Sequence, residues 1–298
     1  MKDNLSLLEK RSAQIRLTAR TLADSTQSGS FASMYRGTGI EFSGVRDYVP
    51  GQDDVRSIDW NVSARMNRPF VKEYEEEKEL QVFIILDTSF SMRTGRGDSF
   101  RTRLDCAVEA ASLISLAASR ESSPVGAVFF DSSMGFSIAP KAGKSQTMLL
   151  LTKLESAKEE KSLEKGTALG AALKGAAHLL KKHSLIIVLS DFRTAFSDWE
   201  KDFSMLALKH DLVAVRISDS SDSVLPEAGS VPLADPETNV HLTLPTFNSD
   251  FARAWKESQA RRLEQWKQLC FRRGAHPLEI SLSEDCALAL SRFFGGRL

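Results

Sequence analysis

Three side chains that can ligate a metal ion directly follow an apolar run of strand length. The run Val82–Leu86 is followed by Asp87, Ser89 and Ser91. An uninterrupted apolar segment of this length is typical of a parallel strand that is buried on both faces. In open α/β sheets, ligands bind at the edge where the strands end. The spacing therefore predicts a binding loop at that edge, with one carboxylate and two hydroxyls.

Two further oxygen donors occupy comparable places later in the chain. Asp191 follows the apolar run Leu185–Ser190, and Thr167 lies just before a predicted helix. Hard cations such as Mg²⁺ favour oxygen ligands, and all five side chains carry them. A carboxylate followed by two hydroxyls also fits a simple turn cap. The order in which Thr167 and Asp191 follow along the chain favours a metal site. Because only two of the five side chains are charged, a cation held there could still accept a carboxylate from another protein.

Strands and helices alternate from residue 80 onward. Apolar runs predict strands at 82–87, 125–130, 185–190, 212–217 and 278–282, and helical periodicity predicts helices at 102–121, 145–157, 168–182, 199–209, 250–273 and 284–294. Such alternation indicates parallel pairing through right-handed crossovers. We therefore expect a doubly wound, mostly parallel α/β sheet flanked by helices over residues 80–298, with a β-hairpin insertion at 219–248.

Residues 1–79 differ from the rest and are predicted to form a separate region. Periodicity predicts a helix over 4–24, and repeated glycines then indicate a small β-rich subdomain of strands and turns. Within it, charges of both signs are dense around Tyr48, Gly51 and Trp60. These charged residues are Arg46, Asp47, Asp53, Asp54, Arg56, Asp59 and Arg65. They favour a structural network of ion pairs, with a partner-docking surface as the alternative.

Composition narrows the function classes. The 298 residues include 39 Lys and Arg against 39 Asp and Glu, which disfavours a dedicated nucleic-acid binder. No apolar run reaches the ~18–20 residues of a transmembrane helix, so no membrane span is expected. The three cysteines form no CxxC pair, which favours reduced thiols and a cytoplasmic location.

The residues quoted so far carry two family resemblances. Three segments, Asp87–Met92, Gly166–Thr167 and Leu189–Asp191, resemble the metal-ion-dependent adhesion site (MIDAS) of von Willebrand factor A domains. That resemblance implies a von Willebrand factor A-like fold. It also implies Mg²⁺ or Mn²⁺ at five residues, namely Asp87, Ser89, Ser91, Thr167 and Asp191.

The segment upstream is similar to a narrower bacterial family, the domain of unknown function 58. The similarity is carried by Gly39–Phe42, Arg46–Gly51, Asp53–Trp60 and Ser63–Arg65, and Leu225–Pro226 and Asp235–Thr238 also fit it. Gln52 stands between Gly51 and Asp53 as a departure from the family's Gly-Asp-Asp. This resemblance covers the chain from about residue 30 to the C-terminus. It implies a MoxR-type AAA+ ATPase as partner, and a chaperone-like role in the assembly or maturation of other proteins.

Two functions follow as hypotheses. The first is a non-enzymatic, metal-dependent protein–protein interaction module whose partner presents an acidic residue. The alternative is a Mg²⁺-dependent phosphoryl hydrolase, in which the metal polarises a phosphoryl oxygen. The alternative needs a base or a cationic clamp, and Arg93, Arg96 and Arg193 are near the candidate ligands in sequence.

Overall fold

The protein is described by a computed structural model. The described residues are 6, 8, 10, 41–51, 53–75, 80–95, 101–159, 167–222, 230–234, 241–245 and 248–295. They fall into two compact units, one within residues 24–79 and one containing 80–298. The predicted helix over 4–24 lies almost entirely outside the described residues.

The larger unit is built on a six-stranded sheet. Its strands are β3 (Gln81–Asp87), β4 (Val125–Phe130), β5 (Met134–Lys141), β6 (Ser184–Ser190), β7 (Asp211–Ser218) and β10 (His276–Ser281). They lie in the order β10-β7-β6-β3-β4-β5, and only the β4–β5 pairing is antiparallel. The expected doubly wound, mostly parallel sheet is confirmed.

Helices cover both faces of this sheet. They are α2 (Arg103–Arg120), α3 (Lys144–Glu159), α4 (Leu169–Leu179), α5 (Glu200–Ala207), α6 (Ser249–Arg272) and α7 (Cys286–Gly295). Val82, Ile84 and Leu86 of β3 pack into the core on the α2 side, whereas Phe83 and Ile85 pack on the α4 and α6 side. Burial on both faces explains why this strand is an unbroken apolar run.

The order of the strands creates a topological switch between β3 and β6. From β3 the chain proceeds to β4 on one side, and from β6 it proceeds to β7 on the other. Loops that diverge from adjacent strands leave a crevice at the carboxyl edge of the sheet. Asp87 ends β3 and Asp191 follows β6, so both carboxylates flank this crevice.

The smaller unit pairs β1 (Glu41–Asp47) with β2 (Phe70–Glu75) in antiparallel register. A short helix, α1 (Trp60–Met66), lies between them. The sequence predicted only strands and turns here. The difference arises because Asp59 caps this seven-residue helix, accepting hydrogen bonds from the amides of Asn61 and Val62. A helix this short has too few turns to show a periodicity.

The segment between β7 and α6 contains two further strands. They are β8 (Ser230–Ala234) and β9 (His241–Pro245), which pair antiparallel as a hairpin requires. Helix α6 then ends at Arg272. Its C-cap Arg273 is followed by Gly274 at φ +76°, a left-handed conformation that favours glycine. Among the described residues, no helix is both long and apolar enough to cross a membrane.

Candidate metal centre

Asp87 lies at the centre of a buried cluster of oxygen atoms. Its Oδ1 accepts a hydrogen bond from the Ser89 amide (2.9 Å), and its Oδ2 accepts one from Ser190 Oγ (2.6 Å). The hydroxyls of Ser89 and Ser91 lie 3.1 Å apart. The side chains of this cluster are buried. The loop therefore brings together three of the five predicted ligands.

The second carboxylate reaches this cluster through an unusual turn after β6. Phe192, directly after Asp191, has φ +51°, which is rare for a bulky residue. Its ring is fixed between Trp199 and Trp266, with centroids 5.5 and 5.4 Å away. The aromatic packing holds the strained turn, and the turn sets the direction of the Asp191 carboxylate.

Among the described residues, no cation compensates the charge of Asp87. Burial and, secondly, the nearby charge of Asp191 raise the pKa of Asp87 to about 7, although hydrogen bonds from Ser190 and Ser89 act in the opposite direction. Two buried carboxylates next to each other repel, so the charge of Asp191 disfavours ionisation of Asp87. A cation between them would remove this penalty.

Asp191 adds an incompletely satisfied oxygen to the same place. Its Oδ1 accepts a hydrogen bond from the Arg193 amide (3.2 Å). Among the described residues its buried Oδ2 has no hydrogen-bond donor, and it lies 3.5 Å from Arg193 Nε, a loose ion pair. Buried polar atoms in native proteins are normally paired, so an orphaned carboxylate oxygen indicates a missing partner. The donor set fits a hard divalent cation.

Hydroxyls are essential to this assignment. Within the described ranges, no three His, Cys, Asp or Glu side chains are grouped so as to hold a metal. The candidate site at this edge therefore combines two carboxylates with hydroxyls. Its oxygen atoms are hard donors of the kind that suit Mg²⁺ and Mn²⁺.

Thr167 is located at the same edge of the sheet, on the β4 side. The amide of the next residue, Ala168, donates to the carbonyl of Asp131, which directly follows β4 (2.6 Å). Thr167 lines a cleft together with Thr194 and Asp198. The preceding residue, Gly166, lies outside the described residues.

Sequence reasoning missed a layer of charge behind the ligands. The guanidinium of Arg103 donates to the Ser91 carbonyl (3.3 Å) and to Thr94 Oγ1 (2.7 Å), and it pairs with Asp222 at 2.5 Å. Asp222 also pairs with Arg193. This chain of contacts connects Ser91 on one side of the centre with Asp191 on the other. The capping box Thr102–Asp105 marks the helix start that places Arg103, in agreement with the predicted helix, but no pattern in the sequence pairs Arg103 with Asp222.

The charged motif of residues 46–59 is arranged differently. Arg46 makes two hydrogen bonds to the Asp53 carboxylate, at 2.7 and 2.5 Å, and the Val49 amide donates to the same carboxylate. The Arg46 guanidinium, followed by the Val49 amide, lowers the pKa of Asp53 to about 2. Asp59, besides capping α1, lies 3.6 Å from Lys72.

The remaining motif residues have local or exposed positions. Asp54 caps a 3-10 turn by accepting from the Arg56 amide, the Tyr48 amide donates to the Pro69 carbonyl, and Gly51 has φ +88° in a turn. The Arg46 guanidinium donates to the Asp47 carbonyl. Exposed side chains are those of Arg56, Arg65 and Trp60, the last 67% accessible. The contacts of this motif therefore order its own unit.

An α/β domain with an oxygen-rich candidate cation site at its topological switch point is thus defined. The chain matches the family model described as "Protein of unknown function DUF58" over residues 44–265, and it belongs to that family. This confirms the family resemblance carried by the upstream motif.

Other comparisons give more distant likenesses. Proteins described as uncharacterised from Mycobacterium bovis and Mycobacterium tuberculosis are each 27% identical over 288 residues, covering 95% of this chain and 87% of their own. The crystal structure of the conserved hypothetical protein BatB from Bacteroides thetaiotaomicron is 17% identical with a TM-score of 0.45, over 73% of this chain and 98% of that one. The SpRpn10 VWA domain is 13% identical with a TM-score of 0.38, over 72% and 94%.

Proposed function

We propose that this chain is a metal-dependent protein-interaction module. Asp87, Ser89, Ser91, Thr167 and Asp191 would hold a Mg²⁺ or Mn²⁺ ion, directly or through water. The proposal is carried by the two buried carboxylates at the switch point, because Asp87 has no cationic partner among the described residues. When bound, the cation would supply an open coordination position for a carboxylate oxygen of the partner protein.

Each side chain of the centre has a distinct task in this proposal. Ser190 and the Ser89 amide orient the Asp87 carboxylate by hydrogen bonds. The neutral Ser89 and Ser91 hydroxyls add ligands without adding charge, so the bound cation would remain electron-poor. Arg193, whose side chain is 45% exposed, pairs with Asp191 from the solvent side and offsets part of its negative charge.

The geometry favours interaction over hydrolysis. Hydrolysis would need a base at the centre, and histidine is the usual one. His183, His210 and His276 stand at the beginnings of β6, β7 and β10, which is the opposite edge of the sheet. Arg93 is directed elsewhere, donating to the carbonyls of Ala157 and Lys158, and Arg96 lies outside the described residues.

We further propose a MoxR-type AAA+ ATPase as the partner, and assembly or maturation of other proteins as the process. The family membership of the chain supports this choice. Zero net charge is consistent with it, because recognition through one cation and one carboxylate needs no large electrostatic field.

Binding between the purified chain and a nucleotide-free MoxR-type ATPase tests the proposal. Nucleotide is left out so that any effect of the cation reflects its binding to this chain and not to the ATPase. We expect binding with Mg²⁺ and its loss with EDTA or in Asp87→Asn. The control Asp250→Asn changes an exposed carboxylate at the start of α6 and should bind normally. Equal binding with and without the cation would refute the metal-dependent role.

A further inference from the structure

A cleft opens beside the candidate metal centre, between the loop after β6 and helix α6. The residues that line it include Arg193, Arg261, Arg262, Phe196, Ser258 and Gln265. None of its lining residues is acidic. Three arginines therefore line one cleft, and among the described residues only Arg193 of the three has carboxylate partners.

The positive charge of the cleft is reinforced from beneath. Arg216 of β7 is only 8% exposed, and the described part of the chain offers it neither a carboxylate nor a hydrogen-bond acceptor. Arg262 donates to the Arg193 carbonyl instead of to a carboxylate. Burial, followed by the charges of Arg216 and Arg193, lowers the pKa of Arg262. Guanidinium groups gathered in this way indicate an anionic ligand.

The cleft is continuous with the candidate metal centre through one side chain. Arg193 lines the cleft, and its Nε lies 3.5 Å from Asp191 Oδ2. If a segment of the partner protein placed one carboxylate at the metal centre, the residues next to that carboxylate would therefore reach the arginines of the cleft. Phe196 offers an apolar wall for the aliphatic part of such a residue.

We propose that this cleft binds a second acidic side chain of the same partner, so that the partner is recognised through an acidic peptide segment and not through a single carboxylate. The inference rests on the proposed function for the first carboxylate only. Arg261 and Arg262 are its recognition residues, and Arg193 connects the two subsites.

An acidic peptide fits better than a nucleic acid. Nucleic-acid surfaces carry a clear basic excess, whereas this chain has equal numbers of acidic and basic residues. Three arginines suit two or three carboxylates of an extended peptide.

The test uses a fluorescein-labelled octaglutamate peptide as probe and the full chain as receptor. Fluorescence anisotropy would be measured in Mg²⁺ and in EDTA. The double variant Arg261→Gln/Arg262→Gln should bind about tenfold more weakly in both buffers, since each partly exposed ion pair contributes a few-fold. Arg261→Gln alone, whose side chain is exposed, should weaken binding about threefold without affecting the fold.

Arg272→Gln is the matched control, because it removes an exposed arginine of the same helix that does not line the cleft. It should bind like the wild type. Unchanged binding of the double variant would overturn the inference, as would displacement of the peptide by a twelve-residue oligothymidylate at lower concentration than by unlabelled peptide.

The two proposals fail in different ways. If Asp87→Asn abolishes the Mg²⁺ effect while the arginine variants bind normally, the cleft is wrong and the metal-dependent function stands. If the arginine variants weaken binding and Mg²⁺ has no effect, the cleft stands and the metal-dependent function is wrong.

Discussion

The charged motif at residues 46–59 and the cluster around Asp87 use carboxylates in opposite ways. In the motif, Asp53 faces Arg46 and its pKa falls to about 2. In the cluster, Asp87 is buried beside Asp191 and its pKa rises to about 7. Local hydrogen bonds orient both carboxylates. They differ in that the described residues place a cationic side chain beside Asp53 but none beside Asp87.

That difference separates a structural role from a binding role. The Asp53 carboxylate has its partner within the fold and stabilises a turn of the smaller unit. The Asp87 carboxylate is left with a charge that the described residues do not balance. Proteins retain such costly arrangements where a ligand restores the balance.

The largest effect is expected from Arg103, the buried cation behind the cluster. Arg103→Met leaves Asp222 without its most buried partner, because the Arg103 side chain is only 3% exposed. Loss of one member of a buried pair should lower the free energy of unfolding by about 3–5 kcal/mol. Urea denaturation measures this, with exposed Arg272→Met as control. A loss as small as that of the control would show that the pair is not structurally important.

The next effect concerns the cation itself. For the wild type, Mg²⁺ at 100 times its Kd should raise the free energy of unfolding by about 2.7 kcal/mol. Asp87→Asn should abolish this gain, and without metal it should be at least as stable as the wild type because a buried repulsion is removed. Thermal unfolding with Mg²⁺ and with EDTA measures both. An undiminished gain in Asp87→Asn would contradict the ligand assignment.

A pH titration tests the carboxylate of the charged motif, Asp53, in the smaller unit. The Asp53 carboxyl should titrate near pH 2, and the ¹³C chemical shift of that carboxyl measures the titration. A depressed pKa means that the Arg46 contact stabilises the unit above about pH 4 and is lost as the pH falls towards 2. In Arg46→Ala the midpoint should move towards 3.8. Lys72→Ala, which removes the partner of Asp59, should leave the titration midpoint of Asp53 unchanged.

The smallest effect is expected at Trp60. This side chain is 67% exposed, whereas Trp199 is buried against Phe192 and Phe203. Trp60→Ala should change the free energy of unfolding by less than about 0.5 kcal/mol. Trp199→Ala should cost about 3–5 kcal/mol. If Trp60→Ala keeps full stability but weakens binding to the ATPase, the motif also serves as a docking surface.

Most of the larger unit was predictable because its strands are buried on both faces. Runs such as Val82–Leu86 and Leu185–Leu189 leave few alternatives to a parallel sheet, and Asp87 and Asp191 stand out because each ends such a run. The helix Trp60–Met66 was missed because its signal is one capping residue, Asp59, and not a periodicity.

The sequence by itself determined the strand-end carboxylates, the hydroxyls spaced after Asp87, and the family of the chain. These depend on neighbours along the chain, which hydrophobic patterning and motifs reveal. Only the tertiary structure decided which charges are balanced. Arg103 meets Asp222 across 119 positions, and Phe192 is held at positive φ by rings from two other segments. Pairing of charges is a property of distance in space, and the order of residues does not specify it.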